Sequence, residues 1–153
     1  MYDPASPGAT KRQLAPDHSH LLGLMPNRSK DWLAQAQRDL EQAQASARDG
    51  RHEWACFAAH QAAEKAVKAL HLHLGQECWG HVVASLLKEL PMIVSETLVA
   101  QAQVLDGYYV PTRYPNGHPE GAPFVHYGFL HSEQAIAYAS EVVEFARVQM
   151  GRA

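Results

Sequence analysis

The sequence predicts an all-α fold: an antiparallel bundle of four to five helices with a long Pro/Gly-rich loop before the last helix. Three observations carry this. Beyond residue 29, apolar and small residues recur at spacings of three and four, glycine and proline punctuate these stretches at helix length, and no segment alternates with the period of two that a strand needs. No internal repeat is present, so the helices form one bundle rather than a solenoid. The 153 residues, 46% hydrophobic and 19% charged, suit one domain around a single core.

The elements follow in order. Residues 1–29 carry Pro4, Pro7, Pro16 and Pro26 with Gly8 and Gly23 and show no period, so a flexible leader is expected there and the domain over 30–151. Ser29 is expected to cap a first helix in which Trp32, Ala36, Leu40, Ala43 and Ala47 share a face, ending at Asp49-Gly50. A second helix is predicted from Arg51 to Leu74, stopped by Gly75, with a stripe of Trp54, Ala58, Ala62, Ala66 and Ala69 that lets another helix approach closely. A short third helix spans His81 to Leu90 before Pro91, and a fourth runs from Ser95 to Tyr109 with Leu98, Ala102, Leu105 and Tyr109 on one side. Residues 110–130 contain Pro111, Pro115, Gly117, Pro119, Gly121, Pro123 and Gly128, which exclude long regular elements. Tyr114, Phe124, Tyr127 and Phe129 favour an ordered, packed loop. The last helix, Ser132 to Met150, offers Ala135, Ala139, Val142, Val143 and Ala146 to the core.

Composition narrows the function. Thirteen Lys and Arg against sixteen Asp and Glu give a net charge of -3, so no global positive field attracts nucleic acid and any polyanion site must be local. No apolar run is long enough to span a membrane or serve as a signal peptide, which points to a cytoplasmic protein. Cys56 and Cys78 have neither the number of a disulfide scaffold nor the spacing of a zinc ribbon, and both are expected to be reduced and structural. Ten histidines invite a metal reading, but no H-E-x-x-H occurs, and His71 and His73 stand about 200° apart around a helix axis. His18 and His20 fall in the leader, so neither a metal nor a cofactor is called for. Phosphate-loop, dinucleotide-binding and nucleophile-elbow motifs are absent.

Two segments could carry chemistry. In Pro111-Thr112-Arg113-Tyr114-Pro115-Asn116-Gly117-His118-Pro119, four residues separate an always-charged guanidinium from a titratable imidazole. Arg113 can grip a phosphate through paired hydrogen bonds, and His118 can take or give a proton, the two roles that metal-free RNA cleavage requires. Tyr114 can stack a base and Asn116 can bond its edge. The plainer alternative ties Arg113 to loop carbonyls and leaves His118 in a turn. In the second segment Gln61, Glu64 and Lys68 share a helix face at i, i+3 and i+7, facing either the Arg113 loop with its bound nucleotide or solvent.

Together these segments resemble the HEPN family, the higher-eukaryote and prokaryote nucleotide-binding domains, from about Asp31 to Met150. The likeness is carried by Trp54-Ala55-Cys56-Phe57 leading into Gln61-Ala62-Ala63-Glu64-Lys65-Ala66-Val67-Lys68-Ala69, by Gly80-His81 with Leu86-Leu87, and by Tyr108-Tyr109-Val110-Pro111-Thr112-Arg113-Tyr114-Pro115-Asn116. The last looks like the arginine-tyrosine-proline loop of small stand-alone members. The resemblance implies a homodimer, a nucleotide or RNA ligand, and a neighbouring minimal nucleotidyltransferase acting as antitoxin to a HEPN toxin. It also implies metal-independent ribonuclease chemistry by an arginine and a histidine spaced as Arg113 and His118 are; since one imidazole cannot easily serve as both base and acid, these residues of two subunits are expected to converge in one cleft. Glu120 replaces the tyrosine that some members carry two residues beyond the histidine, and the proline-rich loop differs from the helical setting of active nucleases. Three functional classes therefore stand side by side: a ribonuclease, a nucleotide- or RNA-binding domain without cleavage, and a helical interaction module that partners a nucleotidyltransferase.

Overall fold

The computed structural model describes residues 27–152, and no strand occurs among them. Five helices follow one another: α1 (Ser29–Arg48), α2 (His52–His73), α3 (Val83–Lys88), α4 (Glu96–Asp106) and α5 (Phe129–Arg152). Between α4 and α5 lie only two short 3-10 turns, Pro115–Gly117 and Pro123–Val125, each opened by proline. The all-α bundle with a long loop before its last helix is therefore the observed fold. The expected leader, with His18 and His20, lies outside the described residues except for residues 27–29.

Helix α2 is the hub. It packs chiefly on α1 and α5, with further contacts to α3 and α4. Its Ala55, Ala59, Ala62, Ala63 and Ala66 are wholly buried, so neighbouring backbones approach closely without loss of side-chain entropy. Larger side chains, Leu70, Leu86, Leu87 and Leu105, fill the space between the helices. All five residues expected to face inward from α5, Ala135, Ala139, Val142, Val143 and Ala146, are buried. The predicted stripe on α2 needs one correction: Trp54 is 48% exposed, because a helix surrounded by four others buries its alanines and places its large indole at the edge.

Helix ends differ from expectation for local reasons. Ser29 does not cap α1 but is its first residue; its backbone N–H donates to Asn27 Oδ1 at 2.9 Å, while Asn27 Nδ2 donates to the Leu72 carbonyl at 3.1 Å. One asparagine thus caps α1 and ties it to the end of α2. Both α1 and α2 end in a paired-bond cap, with Arg51 N–H on Ser46 O and Gln76 N–H on His71 O. Helix α3 begins at Val83 rather than His81, since Val82 is extended and the Asp106 carboxylate accepts from the N–H groups of Val83 and Ala84 at 2.7 and 3.1 Å. Helix α4 is capped by Ser95, whose hydroxyl accepts from Leu98 N–H at 3.1 Å, but it ends at Asp106 instead of Tyr109. Tyr108 therefore joins the core and Tyr109 does not. Helix α5 starts at Phe129, three residues early, because the Gly128 carbonyl accepts from His131 and Ser132 N–H groups. In the loop, Tyr127 packs on the core, whereas Tyr114, Phe124 and Phe129 are half or more exposed.

Candidate functional site

The chain leaving α4 turns back on itself. Thr112, buried, donates its hydroxyl to the Tyr108 carbonyl at 2.5 Å, and Arg113 N–H bonds Val110 O at 3.0 Å. This turn aims the Arg113 side chain back toward α2. Its Nε–H donates to the Tyr109 carbonyl at 2.8 Å. Its guanidinium carbon lies 4.3 Å from the Phe57 ring centre, 4.8 Å from that of Tyr109 and 5.2 Å from that of Tyr114. Three rings hold the cation in place, each such contact contributing about 0.5–2 kcal/mol according to its exposure. None carries a negative charge, and no carboxylate pairs with Arg113 among the described residues. The result is a half-buried, pre-oriented cation whose charge is not neutralised.

His118 faces elsewhere. Its Nε2–H donates to the Pro111 carbonyl at 2.7 Å, and its ring stacks on His126 at 4.1 Å with 6° between planes. The edge of Tyr127 completes its surroundings. Arg113 and His118 are therefore brought into one loop but into no direct contact. Tyr114 is half-exposed beside Arg113, and Asn116 lies exposed in the first 3-10 turn.

The polar line on α2 separates into two environments, Glu64 with Lys68 and Gln61 apart from them. Glu64 is only 4% exposed, which excludes the solvated-face alternative for that residue. Its Oε1 accepts from His81 Nδ1 at 2.7 Å, and Lys68 Nζ lies 3.5 Å from Oε2. Lys68 also sits 6.0 Å from the Trp32 ring. Gln61 instead lines a recess between α1 and α2 of about 470 Å³, together with Asp39, Arg51, Trp54, Phe57 and Lys65. Phe57 is shared, being both a wall of this recess and the ring closest to the Arg113 cation.

Three residues that sequence reasoning missed complete the arrangement. His60, fully buried, donates Nε2–H to the His81 carbonyl at 2.9 Å and accepts at Nδ1 from Gln61 Nε2 at 3.2 Å. Asp106 fixes the start of α3 and lies 3.3 Å from His60 Nε2. The His81 ring stacks on Tyr109 at 4.6 Å, with 21° between planes. A signal for one of these residues was present: His60 stands four residues before Glu64 on a helix whose neighbouring positions are mostly alanine.

Burial pushes the Cys56 thiol up to about 12 and the Tyr108 hydroxyl up to about 12, so neither supplies a nucleophile near neutrality. Both cysteines are free; Cys78, half-buried, is also raised by desolvation. Among the described residues no three His, Cys, Asp or Glu side chains converge as a metal site would require. Nor is any described helix long and apolar enough to cross a membrane.

An antiparallel helical bundle whose inter-helix loop presents a ring-stacked arginine defines the class of domain. Residues 29–149 match the HEPN domain family, and the chain belongs to it. It is similar to the crystal structure of TT1696 from Thermus thermophilus, at 48% identity over 81% of this chain and 99% of that one, with a TM-score of 0.79. It also resembles ST0689, an archaeal HEPN homologue, at 37% identity over 82% of this chain and 99% of that one, with a TM-score of 0.71. A HEPN domain protein from Thermotoga maritima, TM0613, shares 32% identity over 80% of this chain and 99% of that one, with a TM-score of 0.66. No curated protein matches the chain.

Proposed function

We propose that this HEPN domain binds nucleotide or RNA, with the phosphate at Arg113. The observation that carries the reading is the half-buried guanidinium, fixed by Phe57, Tyr109, Tyr114 and a backbone carbonyl and left without an acidic partner among the described residues. A cation so held has already lost most of its rotamer freedom, so an arriving phosphate gains charge-assisted hydrogen bonds at little further entropy cost. Exposed Tyr114 supplies a face for a base, and Asn116 in the neighbouring turn a donor and an acceptor for its edge. Gln61 and the recess beside Phe57 extend the polar surface available to the rest of the ligand. The test is binding of a labelled single-stranded RNA in EDTA. The wild type binds, and Arg113→Ala loses affinity tenfold or more; equal affinity of the two proteins overturns the reading.

A second reading adds metal-independent RNA cleavage. It is favoured by His118, whose Nδ1 has no hydrogen-bond partner among the described residues and so keeps a proton-transfer atom available. In this reading the chain is a homodimer, Arg113 and His118 of two subunits share a cleft, and a minimal nucleotidyltransferase is the partner that neutralises it. Retained RNA binding without cleavage leaves the binding domain alone. Salt-insensitive association with a nucleotidyltransferase and no RNA binding favours the interaction module.

A further inference from the structure

We infer that His81, held by Glu64, is a general base of the Arg113 site and acts on RNA through its ribose 2′-hydroxyl. This rests on the reading of Arg113 as the phosphate-binding group. Glu64 is only 4% exposed and spends one carboxylate oxygen on His81 Nδ1 at 2.7 Å. A carboxylate only accepts, so a proton resides on Nδ1, and in the neutral imidazole that tautomer leaves the Nε2 lone pair free. The His81 side chain is 53% exposed, so a ligand can reach that atom.

The imidazole is fixed from several directions. His60 binds its backbone carbonyl, Asp106 binds the two N–H groups that open α3, and Tyr109 stacks on its ring. The same Tyr109 ring carries Arg113, with its guanidinium carbon 4.8 Å from the ring centre. Imidazole and phosphate-binding cation thus share one aromatic ring, which holds the His81 ring centre and the guanidinium carbon within about 9.5 Å of each other, inside the reach of a ribose and its 3′-phosphate. Elsewhere in the domain, buried polar side chains tie helices together; a buried carboxylate aimed at a half-exposed imidazole is what orientation of a proton acceptor requires.

In the step, Nε2 of His81 takes the 2′-hydroxyl proton, O2′ bonds to phosphorus, and the P–O5′ bond breaks. Water protonates the departing O5′, and the hydroxide left behind takes the proton from the His81 imidazolium. The products are a 2′,3′-cyclic phosphate and a 5′-hydroxyl. Arg113 stabilises the charge gathering on the phosphoryl oxygens, and Glu64 is a positioning residue that keeps the tautomer and the ring plane.

The experiment follows RNA cleavage and RNA binding separately in EDTA, using wild type, His81→Gly, Glu64→Gln and Arg113→Ala, with melting curves to verify folding. The wild type cleaves RNA to cyclic-phosphate ends and leaves DNA of the same sequence intact. His81→Gly loses about 100-fold or more in rate, keeps RNA affinity within about twofold, and regains part of its rate with added imidazole. Glu64→Gln loses rate at unchanged KM and gains nothing from imidazole. Wild type that binds RNA but never cleaves it, His81→Gly that cleaves at full rate, or a loss in His81→Gly that imidazole does not restore overturns the inference and leaves the binding reading standing. Failure of the wild type to bind RNA overturns both.

Discussion

Helix α2 carries two kinds of buried surface, and they do different work. Ala59, Ala62, Ala63 and Ala66 present little beyond backbone, so α1 and α5 close upon them by apolar packing, the polar contacts between these helices coming from other residues, Lys65 with Asp39 and His52 with Ser132. His60 and Glu64, on the same helix, are buried just as deeply but spend their polar atoms on His81, Gln61 and Lys68. The alanine surface gains from close packing and has no need of direction. The polar surface incurs a desolvation cost that apolar residues would avoid, and what it yields is fixed orientation. That asymmetry centres the candidate site at the α2–α3–α4 junction beneath the loop, with the recess between α1 and α2 at its side.

The largest expected effect breaks the seam. Leu70→Ala removes a wholly buried side chain and is expected to lower stability by about 2–5 kcal/mol, and Ala62→Leu overpacks the interface at about 1–3 kcal/mol. Urea unfolding measures both. RNA affinity, referred to the folded fraction, stays unchanged in each; a parallel loss of affinity would show that seam and site are not separate.

Arg113→Ala is the converse. It removes charge-assisted hydrogen bonds to a phosphate, a loss of about 1.5–3 kcal/mol in RNA affinity. The fold loses three ring contacts and one carbonyl bond as well, so affinity is referred to the folded fraction. Calorimetric titration alongside thermal melting separates the two quantities.

The seam was legible in the sequence because its information is periodic. Ala135, Ala139, Val142, Val143 and Ala146 recur at helical spacing and are buried as that spacing requires. The polar junction draws on Phe57, His60 and Glu64 from one helix and on His81, Asp106, Tyr109 and Arg113 from later segments, which no local period connects to the first three. Arg113 was readable because turn-forming residues surround it. Its aromatic cage was not, since Phe57 reaches it across the bundle. His81 was read as the opening of a helix; only the side chain of Asp106, contributed from α4, places it outside that helix with its imidazole free to meet Glu64.

A smaller effect concerns pH. Cys56 and Tyr108 are both held neutral by burial, with folded values raised to about 12 from ordinary values of 9.0 and 10.0. A group raised in the fold stabilises fully below its unfolded value and loses that contribution as pH climbs through the folded one. Melting temperature should therefore decline between about pH 9 and 12, and Cys56 should resist iodoacetamide until the protein unfolds. Rapid alkylation of Cys56 in folded protein at pH 8 would contradict its place in the core. The smallest effect is expected from His126→Ala, which removes the stacking partner of His118, about 0.5–1.5 kcal/mol, together with an exposed hydrogen bond to the Glu120 carbonyl. RNA affinity stays unchanged if that half of the loop is scaffold.

The central claim is that one ring-held arginine is the phosphate contact of this acidic protein. The most direct measurement is the salt dependence of RNA affinity for wild type and Arg113→Ala. The log-log slope should be shallow for the wild type, reflecting a few phosphate contacts, and shallower by about 0.7 in the variant, the share of one phosphate contact on single-stranded nucleic acid. Identical slopes and affinities for the two proteins would contradict it.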